Sequence, residues 1–237
     1  MCVIIHCPTN KRPSEKTLRK CEKENPHGIG IITKGDQSMF HINKGISFDA
    51  LLKIVKASTG ELAIHFRYAT AGGQSEELCH PFPCTKGVNN WLDYKATDIL
   101  MTNGTWMNWS QAYLVLKKTH GMKALKGKMS DTRAMAHIIA ETGNHSWLKH
   151  ITDRHPKHKR VRSLYCTKRS KKQFYRYGEW QEHEGCFYSN MRWHTPESIA
   201  QKLFRKPWQP RAEPKDVLGY HEQQDFSDWI GTHYNKY

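Results

Sequence analysis

MCVIIHCP, residues 1–8, opens the chain with an apolar run that reads as a short buried strand, with Cys2 at its exposed start. Removal of Met1 would place a thiol and a free α-amine on one residue. The thiolate is the nucleophilic form of cysteine, and a nearby base must take its proton. An α-amine titrates at about 7.7–8.0, so it can serve as that base near neutral pH. Taken alone, a cysteine in second position is more often only the first residue of a strand.

Strand-like and helix-like stretches then follow in groups. Residues 25–32 carry Gly28 and Gly30 and run into a second strand, and a Lys-Gly-Asp turn at 34–36 leads to a third at 38–42. Ser47 caps a helix with Leu51, Leu52, Ile54 and Val55 on one broad face, stopped by Gly60. Residues 61–69 form a strand, 71–85 a loop, and 97–102 a strand that delivers Asn103-Gly104. Helices at 110–118 and 131–141, the second capped by Ser130 and ended by Gly143, precede a basic connector. Three strand-like stretches follow at 161–167, 173–180 and 186–193, and Thr195-Pro196-Glu197 then starts a helix. The expected organisation is one domain over 2–194, then a C-terminal helix and charged tail over 195–237. Grouped strands with helices between and after them point to an α+β fold of two packed sheets covered by helices.

At 237 residues the chain can bury a full core. No apolar run reaches the length of a membrane span and no signal-peptide core follows Met1, so a soluble, cytoplasmic protein is expected. The seven cysteines (2, 7, 21, 79, 84, 166, 186) lack framework spacing, which fits reduced thiols. A net charge of +15 brings polyanion partners into consideration. Much of it is local: between residues 149 and 176 eleven Lys or Arg stand against one acid, Asp153.

Five short strings follow Cys2 in order. They are NPHGIGII at 25–32, HFRYATAGG at 65–73, CHPFP at 79–83, TNGTW at 102–106 and SDTRAMAH at 130–137. With the N-terminal cysteine, their order and spacing resemble the glutaminase domain of class II glutamine amidotransferases, which belongs to the N-terminal-nucleophile hydrolases. The resemblance runs from Cys2 to Trp193. It implies a four-layer α-β-β-α sandwich, glutamine as substrate, and neither cofactor nor metal.

The resemblance also implies a role for each matching residue. Cys2 is the nucleophile, and the Asn103 side-chain N–H and Gly104 backbone N–H are the oxyanion pair. Arg67 holds the substrate α-carboxylate with a planar fork that a lysine lacks, helped by Tyr68, Thr70 and the backbone at Ala71 and Gly72. Asp131, at a helix start, holds the α-ammonium. Gly28 and Gly30 let the backbone pass close to the nucleophile. Three positions depart from the pattern: Val3 stands where Gly is usual, Thr102 where His is usual, and Arg133 where Glu is usual. The familiar relatives carry a large synthase domain after the glutaminase. None fits within this chain, so the ammonia is expected to serve a separate acceptor enzyme.

Each residue has a plainer reading too. Asn-Gly is the strongest local signal for a type I′ hairpin. An arginine at a strand end often makes only a surface salt bridge, Asp131 can cap its helix with Ser130, and the glycines can be turn residues.

Two other classes fit parts of the chain. The 149–176 segment interleaves its cations with Tyr165, Phe174, Tyr175 and Tyr177. It reads either as a nucleic-acid surface, with Lys168, Arg169, Lys171 and Lys172 on phosphates, or as the solvated hairpin of a basic protein. The first makes the chain a catalytically reduced binding module for nucleic acid or protein. His183-x-x-Cys186 with Cys166 offers zinc ligands but no paired C-x-x-C, so no metal site is expected.

Overall fold

The computed structural model describes residues 2–35, 38–69, 75–87, 91–153 and 161–194. The segment 195–237 and Thr70 lie outside them. In chain order the elements are β1 (Val3–Cys7), α1 (Glu15–Glu24), β2 (Ile29–Lys34), β3 (Phe40–Lys44), α2 (Phe48–Ala57) and β4 (Leu62–Phe66). A 3-10 turn (Glu76–Leu78), β5 (Phe82–Pro83), β6 (Asp93–Ala96), β7 (Asp98–Asn103), α3 (Trp109–Thr119), α4 (Asp131–Thr142) and α5 (Leu148–Asp153) come next. β8 (Arg162–Thr167), β9 (Phe174–Tyr177), β10 (Gln181–His183) and β11 (Cys186–Tyr188) complete the described chain.

The fold is mixed α/β with two antiparallel sheets, of seven strands in the order β10-β11-β1-β4-β2-β3-β6 and of four in the order β5-β7-β8-β9. β1 is flanked by β4 and β11, with Val3 opposite Phe66 and Ile5 opposite Tyr188. All five of its residues are buried, as a strand covered on both faces requires.

Side chains alternate along β1 between two cores. Val3 and Ile5 join Ile64 and Phe66 of β4, Leu18 of α1 and Leu51 of α2. Ile4 points the other way and joins Ile32, Ile42 and Ala63 to Ile99 and Met101 of β7 and Leu164 of β8, so this core joins the two sheets. A third core packs Leu100 and Tyr165 of the smaller sheet against Tyr113 of α3, Met135 and Ile138 of α4, and Leu148 of α5.

Helix starts follow their caps. Ser47 Oγ accepts from Ala50 N at 3.2 Å and Ser130 Oγ from Arg133 N at 3.2 Å. Gly143 ends α4 with φ 66°, a conformation that favours glycine. α2 stops at Ser58, whose hydroxyl donates to Ile54 O, two residues before the expected Gly60.

α1 carries no apolar stripe that would announce it. Thr17, Leu18 and Cys21 are its buried residues, and its cap Ser14 is tied to Glu184 through both the Ser14 amide (2.7 Å) and hydroxyl (2.9 Å). α5 occupies the start of what reads in sequence as a basic connector, and β6 and β10 are short strands that the sequence does not announce.

Candidate active site

Cys2 immediately precedes β1, and neighbouring chain grips it on two sides. The Tyr68 amide donates to Sγ at 3.2 Å, and the thiol donates to Tyr68 O at 3.4 Å. On the other side Asn190 Nδ2 donates to Cys2 O at 2.6 Å. Ser189 clamps the next turn of the backbone: Ile4 N donates to Ser189 Oγ at 2.8 Å and Ser189 N to Ile4 O at 2.9 Å. Burial pushes the Cys2 thiol above its ordinary range, the Tyr68 backbone and the Arg67 charge pull it down, and Asp131 pushes it up. Arg67 and Asp131 are thus both close enough for their charges to act on the sulfur.

Arg67 follows β4 and is 5% exposed, so it is a buried cation rather than a surface one. Its amide donates to Gly28 O at 2.8 Å, and its carbonyl accepts from His27 N at 3.0 Å. The Tyr68 ring lies 5.0 Å from that of His27. Gly28 and Gly30 also admit a close approach from the 79–81 stretch. The Cys79 side chain and the His80 carbonyl fill the space where their side chains would stand.

Asn103 closes β7 and is fully buried. Its register partner is Arg162 of β8, beyond three helices, so Asn103-Gly104 does not form a two-residue hairpin. Gly104 has φ 108°, which a side chain would strain. Asn103 Nδ2 donates to Ser189 Oγ at 2.9 Å, while Oδ1 is buried and finds no partner among the described residues.

Asp131 is the first residue of α4. Oδ2 accepts from Trp106 N at 2.9 Å and Oδ1 from Thr132 N at 2.8 Å. Burial raises its carboxyl, and these hydrogen bonds offset part of the rise. The departures from the motif pattern are absorbed locally. Val3 packs in the outer core, Thr102 Oγ1 hydrogen-bonds Thr132 Oγ1, and the Arg133 guanidinium donates to the carbonyls of Lys126 and Lys128 at 2.6 Å each.

Several residues here have no role in the sequence reading, although His65 and His80 stand within two of its motif strings. His65 and His80 stack with ring centres 4.1 Å apart, and burial lowers both, His65 to about 3, so the pair is neutral at pH 7. Lys44 is buried, donates to Glu77 O at 2.8 Å and lies over the Phe82 ring; burial lowers it to about 8. It ties the 76–83 stretch to β3. Ser189 and Asn190 sit just past β11 in a plain Tyr-Ser-Asn string. A cleft of ≈ 300 Å³, lined in part by these two with Arg162 and Arg192, opens beside them.

Three of the four cations of the β8–β9 turn are engaged within the chain, while Lys171 is exposed. Arg169 Nε lies 2.7 Å from Asp98 Oδ2, Lys168 Nζ lies 4.6 Å from the centre of the Phe40 ring, and Lys172 Nζ lies 5.0 Å from that of Tyr175. Among the described residues no three His, Cys, Asp or Glu side chains gather to hold a metal, and no helix is long and apolar enough to cross a membrane.

No family model and no curated protein matches the sequence. Solved structures similar to it include the following two. One is described as the allosteric regulatory enzyme of purine biosynthesis. It is 21% identical, the match covers 71% of this chain and 36% of that one, and the TM-score is 0.45. The other is a glutamine phosphoribosylpyrophosphate (PRPP) amidotransferase from B. subtilis complexed with ADP and GMP. It is 16% identical, with 81% of this chain and 42% of that one covered and a TM-score of 0.49. The chain therefore spans less than half the length of either. By its description the second is a glutamine amidotransferase.

Proposed function

We propose that residues 2–194 form a glutaminase domain of the class II amidotransferase type, a four-layer α-β-β-α sandwich in which Cys2, freed by Met1 removal, attacks the side-chain amide of glutamine. The α-amine takes the thiol proton, and the sulfur adds to the amide carbon. The resulting oxyanion is held by Asn103 Nδ2 and Gly104 N. Collapse breaks the C–N bond, the amine returns the proton to the leaving nitrogen, and ammonia departs. Water then cleaves the γ-glutamyl thioester to glutamate. Arg67, with Tyr68 and Thr70, takes the α-carboxylate, and Asp131 takes the α-ammonium. Ammonia passes to an acceptor enzyme or domain outside these residues, in the reducing cytoplasm.

One observation carries this reading: the Tyr68 amide holds the Cys2 sulfur at 3.2 Å, and the charges of the buried Arg67 and of the half-buried Asp131 both act on that sulfur. A merely structural strand start requires no such pair. The engaged cations at Lys168, Arg169 and Lys172 give the nucleic-acid reading no comparable support.

The test is glutamate release from glutamine by Met-processed protein, with mass spectrometry of the N-terminus before and after a glutamine-like alkylating agent. The expected result is turnover and a single adduct on Cys2, both lost in Cys2→Ala. Processed protein that releases no glutamate and takes no adduct overturns the reading.

A further inference from the structure

The Asn103 carboxamide presents an inconsistency that its surroundings resolve. With Nδ2 donating to Ser189 Oγ, Oδ1 is left buried and unpartnered. Ser189 Oγ already accepts from Ile4 N, so in this orientation the hydroxyl accepts twice and its own hydrogen is unused. A half-turn of the amide about its terminal bond exchanges N and O and moves nothing else. The Ser189 hydroxyl then donates to Oδ1, and Nδ2 occupies the place of the orphaned oxygen as an unengaged donor.

An unengaged, fixed donor is what an oxyanion site needs, and a buried acceptor with no partner serves no purpose there. Location agrees. Asn103 lies in step with Ile99 and Met101 on the face of β7 that meets the larger sheet. Ile4, on the opposing face, is two residues from Cys2, and Ser189 Oγ bridges the two strands.

We infer that Ser189 is a positioning residue that donates to Asn103 Oδ1 and thereby aims Asn103 Nδ2 at the carbonyl attacked by Cys2. The inference rests on the glutaminase reading for its consequence, but not for the geometry itself.

Three measurements separate them. In Ser189→Ala, kcat for glutamine should fall about 10- to 100-fold with KM within about twofold, and Ser189→Thr should restore most of it. Alkylation of Cys2 by iodoacetamide, a displacement at saturated carbon that develops no oxyanion, should stay within about twofold of wild type. An unchanged kcat overturns the inference, as does a fall in kcat and alkylation rate together, because that reports a displaced nucleophile. Neutron diffraction from the unmodified protein reads the geometry directly. A deuteron on Ser189 Oγ aimed at Oδ1 is expected, and one on Nδ2 aimed at Ser189 refutes the inference. That readout stands even if the wild type releases no glutamate, a result that would remove only the glutaminase reading.

Discussion

The carbonyl oxygen of His80 occupies the space that a side chain on Gly30 would need: an ideal Cβ there would stand 1.8 Å from it. The same stretch places Cys79 Sγ 2.3 Å from the Cβ position of Gly28, which also has φ +130°. Backbone cannot yield as the tip of a flexible side chain can. Gly30→Ala should therefore destabilise the protein by about 1–3 kcal/mol or more and displace the 79–83 stretch. Urea unfolding of the two proteins checks this, and equal midpoints would show that the stretch is loosely held.

Arg67→Lys keeps a positive charge near Cys2 but removes the planar fork. On the proposed function kcat/KM for glutamine should fall about 10- to 100-fold, mostly through KM, with the melting temperature little changed. Steady-state kinetics on both proteins decides it. A purely catalytic loss at constant KM would remove Arg67 from the substrate-binding role.

Burial raises the Cys2 thiol more than its neighbours lower it. At a fixed neutral pH a raised thiol holds less thiolate, so alkylation of protein that keeps Met1 should become fast only above the ordinary thiol range. Protein starting at Cys2 should react near pH 8, where its own α-amine titrates at about 7.7–8.0. Rate against pH, followed by mass of the N-terminal peptide, compares the two forms. Identical profiles would deny the amine its role as base.

Asp98 is a structural carboxylate remote from this chemistry. Burial pushes it up, but hydrogen bonds from Thr167, Tyr165, Thr97 and Arg169 prevail, and its carboxyl lies below the usual range. A folded value below the unfolded one means stability that is present above about pH 3.9 and drains away as pH falls through the folded value. Asp98→Asn should cost about 1–3 kcal/mol at pH 7, and the gap to wild type should narrow below about pH 4. Unfolding curves at both pH values test it. A gap independent of pH would assign the loss to shape rather than charge.

Sequence patterns revealed elements that carry their own signature. β1 is apolar throughout because both faces are covered, and α4 has a serine cap, an apolar face and a terminal glycine. α1 buries only three residues, so its serine cap, Ser14, has no apolar stripe after it to announce a helix. β6 and β10 are short and largely polar. At the site the same division holds. Cys2, Arg67, Asn103 and Asp131 are visible because a string of neighbours accompanies each. Ser189 and Asn190 matter only through what they touch across the fold, and Ser189 meets Ile4 from 185 positions away.

That separation has a consequence for biosynthesis. β1 leaves the ribosome well before its β11 partner, since Ile5 pairs with Tyr188, 183 residues later. At about 5–20 residues per second the leading strand waits roughly 10–40 s with one edge bare. Throughout that interval the backbone from Cys2 to Ile4 stands uncovered, before Asn190 takes the Cys2 carbonyl and Ser189 takes the Ile4 amide.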